Sequence, residues 1–585
     1  MLRQNPLMKL MAASWNYAGA RRGHLVLATG LLLGGQVAQL AKPWLFGQSF
    51  NAIQSGGPEL MGNVVFWLLL YGAMDFVFWA LHGPARVMER NTAFEIRRNF
   101  FMDNYASIRQ LPLKWHQEHH SGNTINRLRK ANDALFGFAQ DTFVLTGTVM
   151  GLVGPIVVLF WLSWKIALIT LTVNVVTLFL LRYFDVRIMH WVNRENEVEH
   201  KYASTLFDYI SNMTTIITLR LGQRTQGELA HKLGEMYANF RKHVVLNETK
   251  YFALNIAISA LEVGIIIAYI YQQLSMTGTV MVGTTIAVFR YLNTLTGAYY
   301  NFAGVYQNLQ RQFTDYRALE SIRAYYHLIP QQVVPTVTHQ RWKTLAIEGL
   351  NYAHDTESQQ GRLQDVSLTL QRGERVALIG ESGSGKSTLL ALLRNLYEPD
   401  SVVLKIDGKK AKSYRVLRGM TTLIPQDPEI FENTIEYNIC VGLEHGEAEL
   451  TLAITLAKFD KALARLPNGL ATDIREKGVN LSGGEKQRLA VARGLYAAKD
   501  SSLLLLDEPT SSVDSRNEAE IYEQVFAAYP DKTIISSIHR LHLLPRFDRI
   551  VYMAEGRIVQ TGTFAEMIKK EPFRGLWRKH TKGHK

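Results

Sequence analysis

Gly380-Glu381-Ser382-Gly383-Ser384-Gly385-Lys386-Ser387 fits G-x-x-x-x-G-K-[ST], the phosphate-binding loop. Glycines let such a backbone curl so that its N–H groups face inward around phosphate oxygens. Lys386 then reaches the outer phosphates and the Ser387 hydroxyl can ligate Mg²⁺. The apolar run Arg375–Ile379 predicts a strand entering the loop, and the run from Ser387 and Thr388 to Leu393 predicts a helix leaving it. Strand, loop and helix are the setting this loop requires.

Downstream, Leu503-Leu504-Leu505-Leu506-Asp507-Glu508 is an apolar run ending in two acids. It suits a buried parallel strand whose carboxyl end faces the phosphates. Asp507 is expected to hold Mg²⁺, and Glu508 to polarise the attacking water as general base.

Between these motifs stands Leu481-Ser482-Gly483-Gly484-Glu485, followed by Lys486-Gln487-Arg488. On this run the chain resembles the ATP-binding cassette (ABC) proteins, and other matches fall in the family's order. Tyr352 lies 28 residues before Gly380, where the family has an aromatic that stacks on adenine. Gln426 resembles the Q-loop residue, Ser511-Ser512-Val513-Asp514 the D-loop, and His539 the switch histidine. The resemblance spans roughly residues 345–565. It implies ATP and Mg²⁺ as cofactors, with Tyr352 and Gly380–Thr388 on the nucleotide and Ser387, Gln426 and Asp507 toward the metal. Glu508, His539 and Gln426 would serve hydrolysis. Ser482 and the N–H groups of Gly483 and Gly484 open a helix expected at 485–495, a ready anion site. In the family this signature, Ser482–Glu485, faces the γ-phosphate held by a second nucleotide domain, and Asp514 belongs to the same junction. The chain carries one such domain with every catalytic position intact. Two copies would make two competent sites, which favours a homodimer and leaves a heterodimer with a degenerate partner open.

The 585 residues exceed one domain. Six stretches have the length and low charge of membrane helices: roughly 25–46, 61–82, 142–161, 165–184, 252–272 and 280–300. The first contains Lys42 and Pro43, and the last Arg290. Segments 47–63 and 272–283 lack Lys and Arg, whereas 83–141 and 185–251 carry many, among them Arg97, Arg98, Arg187 and Arg241. The positive-inside rule therefore puts the N-terminus, these long segments and the ATPase region on the cytosolic side of a plasma (bacterial inner) membrane. Trp161 and Trp164 suit an outer aromatic belt. The layout resembles the exporter-type (type IV) ABC half-transporter: a polytopic α-helical membrane domain fused to an α/β P-loop ATPase domain with a helical subdomain. The expected boundaries are 1–325 for the membrane domain, 326–343 for a linker marked by Pro330 and Pro335, and 344–585 for the ATPase domain. In that family the tips of the cytosolic hairpins are coupling helices that dock on nucleotide domains, expected here near Leu113–Ser121 and Ser204–Met213.

The net charge of +13 invites a nucleic-acid reading, but cytosolic loops and anionic headgroups account for much of it and no base-reading motif appears. The basic stretch Arg578–Lys585 reads as a solvated end. Cys440, the single cysteine, reads as a packing residue. His116, His119 and His120 share a helical face but fall at a presumed docking tip, where a solvated surface outweighs a metal site. Asp75, Glu262 and Arg290 lie in or near spans; they either line the passage or pair between helices. The first apolar stretch is too long for a signal peptide. The expectation is ATP-driven transport, outward, of an amphipathic solute, lipid, peptide or glycoconjugate through the bilayer by alternating access. Import of a metal chelate on the same fold, and an ATP-gated channel or regulatory subunit, are the alternatives.

Overall fold

The computed structural model describes residues 5–119, 121–329, 342–354, 362–444, 446–474 and 481–582. They form two compact units, one of Met1–Gln110 with His120–Leu328, the other of Leu111–His119 with Ile329–Lys585. Most of the expected linker, with Pro330 and Pro335, lies outside the described residues, as does His120.

The first unit is helical. α1 (Pro6–Tyr17) leads into α2 (Arg22–Ser55) and α3 (Leu60–Arg109), which ends at the short α4 (Leu113–Glu118) of the second unit. α5 (Ser121–Gln140), α6 (Thr142–Leu162) and α7 (Trp164–Ser211) follow. A short α8 (Met213–Thr218) precedes α9 (Gly222–Thr277), α10 (Val282–Arg317) and α11 (Glu320–Leu328). Five of the expected spans fall inside one helix each, and the sixth, 280–300, starts two residues before α10. α3, α7 and α9 run on for 50, 48 and 56 residues, far beyond the roughly 20 a bilayer needs. Among the described residues, five helices are long and apolar enough to cross a membrane, and α10 is not one of them. The reason lies in its surroundings. α10 packs against α2, α5, α6 and α9, so much of its surface meets protein rather than lipid. It can therefore carry polar groups: Tyr291 donates to the Leu40 carbonyl at 2.9 Å, and Thr296 to Glu262 at 2.6 Å. α10 also crosses α2 at Gly283 and Gly47, so close that a Cβ on Gly283 would fall 1.9 Å from the Gly47 oxygen.

The charges singled out in the spans have partners. Lys42 binds Asp75 at 2.7 Å between α2 and α3, Glu262 accepts from Thr296, and the Arg290 guanidinium lies 4.0 Å from the Phe46 ring centre. A further pair, Lys250 and Asp185 at 3.1 Å, is fully buried between α9 and α7. Where the two coupling tips are expected, the chain has a short helix α4 within Leu113–Ser121 and a short helix α8 that starts at Met213, a few residues downstream of most of Ser204–Met213, because α7 continues to Ser211.

The second unit holds two sheets. β1 (Thr344–Tyr352), β2 (Leu363–Gln371), β4 (Ser401–Ile406) and β5 (Lys409–Lys410) form an antiparallel sheet ordered β2-β1-β4-β5. The main sheet is ordered β10-β9-β3-β8-β7-β6. It comprises β3 (Arg375–Ile379), β6 (Thr421–Ile424), β7 (Leu503–Asp507), β8 (Thr533–Ser537), β9 (Arg549–Ala554) and β10 (Arg557–Gly562), all parallel except β10. Both faces of β3 and β7 are covered, which explains their unbroken apolar runs. Val376, Leu378, Leu503 and Leu505 join a core with the antiparallel sheet and α12 (Lys386–Leu393). Ala377, Ile379, Leu504 and Leu506 face a second core. That core is closed by α13 (Ile435–Cys440), α14 (Glu447–Leu456), α15 (Asp460–Arg465), α16 (Gly483–Ala497) and α17 (Ser515–Ala528). Cys440 is buried there as a packing residue. Where a free basic end was expected, Arg578–Lys582 continue a helix. After α18 (Phe564–Met567), α19 (Phe573–Lys582) is anchored by Phe573 and Trp577 on Phe564.

Candidate active site

The carboxyl ends of β3, β7 and β8 converge on one cavity of about 740 Å³, the size of a nucleotide site. The loop from β3 to α12 forms its floor. Gly380 has φ 151°, and a Cβ there would strike the Met553 oxygen at 2.2 Å; Gly385 has φ 99° and its Cβ would meet Leu363 at 2.6 Å. Only glycine fits at either position. Gly380–Gly383 and Gly385–Thr388 line the cavity, while Ser384 is buried behind them. Lys386 Nζ donates to the carbonyls of Gly380 and Glu381 at 2.9 and 3.1 Å. Burial pushes this lysine below its ordinary range, and the charges of Glu508 and Asp507 pull it back.

Asp507 closes β7 directly beneath the loop. Its Oδ1 accepts from Ser387 Oγ at 3.0 Å and from Ser537 Oγ at 2.8 Å. Glu508 follows with φ 43°, a left-handed conformation that costs a non-glycine residue of order 1 kcal/mol or more. Its carboxylate accepts from Gln426 Nε2 at 3.2 Å, and it lines the cavity with Gln426 and His539. Ser387, Gln426 and Asp507 all offer oxygen, the donor chemistry of Mg²⁺, which prefers one or two carboxylates plus phosphates. The donor set therefore fits that ion.

The remaining expected residues lie apart from this cavity. Tyr352 ends β1 at 6% exposure, stacked 5.6 Å from Tyr397, with its hydroxyl 3.1 Å from His354 Nδ1. Ser482 caps α16, which begins at Gly483, two residues before the expected start. Its hydroxyl accepts from Glu485 N–H while the Glu485 carboxylate accepts from Ser482 N–H at 2.8 Å, a complete capping box. Burial would raise the Glu485 carboxyl, but the bonds from Ser482 and the nearby Arg465 and Arg488 hold it below the usual range. Asp514 caps α17 through Asn517 N–H at 3.0 Å.

Several residues not marked by the sequence belong to the assembly. Ser537 bridges the two acids. Gln487 of α16 donates to Ser511 Oγ and accepts from Ser512 N–H, both at 2.6 Å, which ties the signature helix to the D-loop. Arg540 donates to the Val513 and Ser511 carbonyls and pairs with Glu518 at 3.0 Å. Leu576 of α19 reaches the cavity wall. Gln487 stood in the quoted Lys486-Gln487-Arg488 run, and Ser537 and Arg540 in the run Ser537-Ile538-His539-Arg540 around the switch histidine, so adjacency could have flagged all three; nothing local marks Leu576. At the first tip, α4, Trp115 is buried and His119 stacks on it at 4.3 Å. Among the described residues no group of three potential metal ligands occurs, and His120 lies outside them.

The family model for "ABC transporter" matches residues 363–511 and that for "ABC transporter transmembrane region" residues 25–299, together most of the chain. The chain belongs to the ABC transporter family. Its ATPase domain binds ATP and couples hydrolysis to transport by a multi-pass membrane domain of the exporter type. Half-transporters of this kind are typically dimeric. The chain is 27% identical over 569 residues to an ATM1-type heavy metal exporter of Novosphingobium aromaticivorans, covering 94% of this chain and 91% of that one. It is 28% identical over 527 residues to an ATP-dependent lipid A-core flippase of Thiobacillus denitrificans, covering 85% and 88%. The fold superposes on a solved bacterial Atm1-family ABC exporter with ATP bound, with TM-score 0.81 at 23% identity, covering 96% of this chain and 98% of that one.

Proposed function

We propose that two copies of this chain form an exporter of an amphipathic solute that carries an acidic group, seated in a bacterial inner membrane with the ATPase domains cytosolic. The observation that carries the solute class is a cavity of about 280 Å³ in the membrane unit. Its wall is apolar and aromatic, from Val175, Leu178, Phe179, Phe302 and Tyr306, with Arg182 and Asp185 at its polar edge. Lys250 takes up the Asp185 carboxylate, so the net charge of the wall is that of Arg182. A guanidinium beside so much apolar surface favours an anionic head with an apolar body. Of the two relatives, the one named for lipid A-core flipping is compatible with such a solute.

In this reading Lys386 and the loop N–H groups bind and orient the ATP phosphates. Ser387, Asp507 and Gln426 would hold Mg²⁺, which when bound offsets phosphate charge. Glu508 takes the proton of the attacking water. His539, across the same cavity, contacts the γ-phosphate. Tyr352 holds the adenine end. Ser482–Glu485, with Asp514 beside them, act on the nucleotide of the other copy, since in their own chain they lie away from the cavity. The boundaries 1–325, 326–343 and 344–585 describe the domains. The first coupling helix, α4, already belongs to the ATPase unit; α8, with no buried residue, is free to dock on the partner's.

The test is ATP hydrolysis in lipid nanodiscs. Glu508→Gln is expected to slow it by about 10²–10⁴-fold and trap the ATP-bound dimer. Acidic amphipaths are expected to stimulate the parent and not Arg182→Gln. Equal stimulation by neutral amphipaths, or by acidic ones in the variant, would reject the solute class.

A further inference from the structure

We propose that Ser537 is a positioning residue of the ATPase reaction, whose one hydroxyl sets the Asp507 carboxylate and supports the backbone of Glu508. The inference rests on the reading of those two acids as metal holder and general base. Ser537 is the last residue of β8 and the parallel neighbour of Asp507 on β7, and on its other side it pairs with Leu378 of β3. It therefore stands between the strand that delivers the phosphate loop and the strand that delivers the acids. Its side chain is 1% exposed. The hydroxyl proton is donated to Asp507 Oδ1 at 2.8 Å, and the oxygen accepts Glu508 N–H at 3.2 Å.

Both bonds have consequences for chemistry. Ser387 donates to the same Asp507 Oδ1, so one carboxylate oxygen takes both hydroxyl donors, which restrains the carboxylate and leaves the metal-facing capacity to its other lone pairs. A carboxylate oriented by second hydrogen bonds binds a metal-bound water or phosphate-bound cation better than a free rotor, and losing such a partner typically costs about 10–100-fold. The Glu508 N–H is the donor of a residue held at φ 43°, and without an acceptor that strained turn would also carry an unpaired amide. The neighbouring Ser536 hydroxyl faces away, 2.7 Å from Tyr522, and serves packing instead. Alanine at 537 would remove both bonds at once; threonine would keep the hydroxyl.

The experiment uses the full-length chain in nanodiscs. In a Glu508→Gln background, where ATP persists, Mn²⁺ binding to the ATP complex is followed by electron paramagnetic resonance. Ser537→Ala is expected to weaken Mn²⁺ by about 10-fold, while binding of a fluorescent ATP analogue in EDTA stays within two-fold of the parent. With Glu508 intact, Ser537→Ala is expected to lower kcat by a similar factor with KM for ATP little changed, and Ser537→Thr to restore both readouts. Unchanged Mn²⁺ affinity and kcat in Ser537→Ala would overturn the proposal, as would a threonine variant as impaired as alanine, or metal-free nucleotide binding lost in step. Should Glu508→Gln itself hydrolyse at the parental rate, the assignment of the acids falls, and this proposal with it. An unaffected Ser537→Ala beside an inactive Glu508→Gln removes this proposal alone.

Discussion

The phosphate wall and the signature wall of the ATPase domain are built to different degrees of closure. At the phosphate wall each reactive group is held by its own chain: Lys386 by loop carbonyls, Asp507 by Ser387 and Ser537, Glu508 by Gln426. At the signature wall the hydrogen bonds are spent on the helix itself. Ser482 and Glu485 satisfy one another, and the amides that open α16 lie at an exposed surface where no nucleotide cavity of the same chain reaches. A preformed, capped helix N-terminus is a ready anion site, yet none of its residues lines the phosphate cavity of its own chain. The difference is what the proposed dimer requires, in which one chain supplies two halves of two different sites.

The sharpest way to break that comparison is complementation. Ser482→Arg puts bulk and positive charge at the signature and is expected to lower hydrolysis by about 10²-fold, the cost of losing one transition-state donor. ATP binding by the same chain should persist, since the phosphate wall is untouched. Lys386→Ala does the reverse, weakening ATP binding at its own wall. Co-assembly of the two variants places one intact phosphate wall opposite one intact signature, so activity should reappear above that of either variant alone. If mixed assemblies stay as inactive as their parents, the walls do not meet in trans and the dimer reading fails.

The same contrast recurs at the two proposed coupling tips, with a smaller expected effect. Trp115 of α4 is 4% exposed, whereas in α8 Ile217 is 70% exposed. Trp115→Ala is expected to cost about 3–5 kcal/mol of stability in the ATPase unit, as for other buried aromatics. Ile217→Ser should stay within roughly 0.5 kcal/mol, yet reduce solute-stimulated hydrolysis if α8 docks on the partner. Differential scanning calorimetry and stimulated ATPase on both variants separate the cases. An Ile217→Ser chain that melts early would show that α8 is packed within its own chain.

How far the sequence could be read follows from the same physics. The phosphate loop, both strands that flank its chemistry and the signature helix were legible because each is fixed by residues within a few positions: glycines that must take positive φ, an apolar run that must be covered twice, a serine with glutamate three residues on. The first tip was legible from the family resemblance, which places it before Gly122 and Arg127. The second was placed too early because Ser204–Ser211 carries no breaker and α7 simply continues through it. The first and last spans, in α2 and α10, were the least certain, and for α10 the reason is related: a helix packed against several others needs less hydropathy than one facing lipid. Asp75, Glu262 and Arg290 could be seen as costly in a membrane, but their partners Lys42, Thr296 and Phe46 come from distant segments. Ser537 stood two residues before His539, but its role was hidden because it depends on strand register, and Leu576 gave no signal because its place depends on a helix docking late in the chain.

The smallest effect concerns the signature's self-sufficiency. If the capping box exists to hold the α16 terminus in shape without a ligand, Glu485→Ala should destabilise the domain by about 1 kcal/mol, seen as a Tm lower by roughly 2–4 °C. The pH dependence gives the sign. The Glu485 carboxyl is held below its ordinary value in the folded chain. Its contribution is therefore fully present above the unfolded value of about 4.3 and is lost as pH falls through the folded value. The gap between parent and Glu485→Ala should be constant near neutrality and close under acid conditions. Glu485→Gln keeps an acceptor for the Ser482 N–H but no charge, so its stability should track the parent's with the acid-dependent part removed. If the alanine gap instead does not narrow at all as the pH is lowered from neutrality until the domain unfolds, packing rather than the ionised cap holds α16, and the signature wall would not be preformed by its own hydrogen bonds.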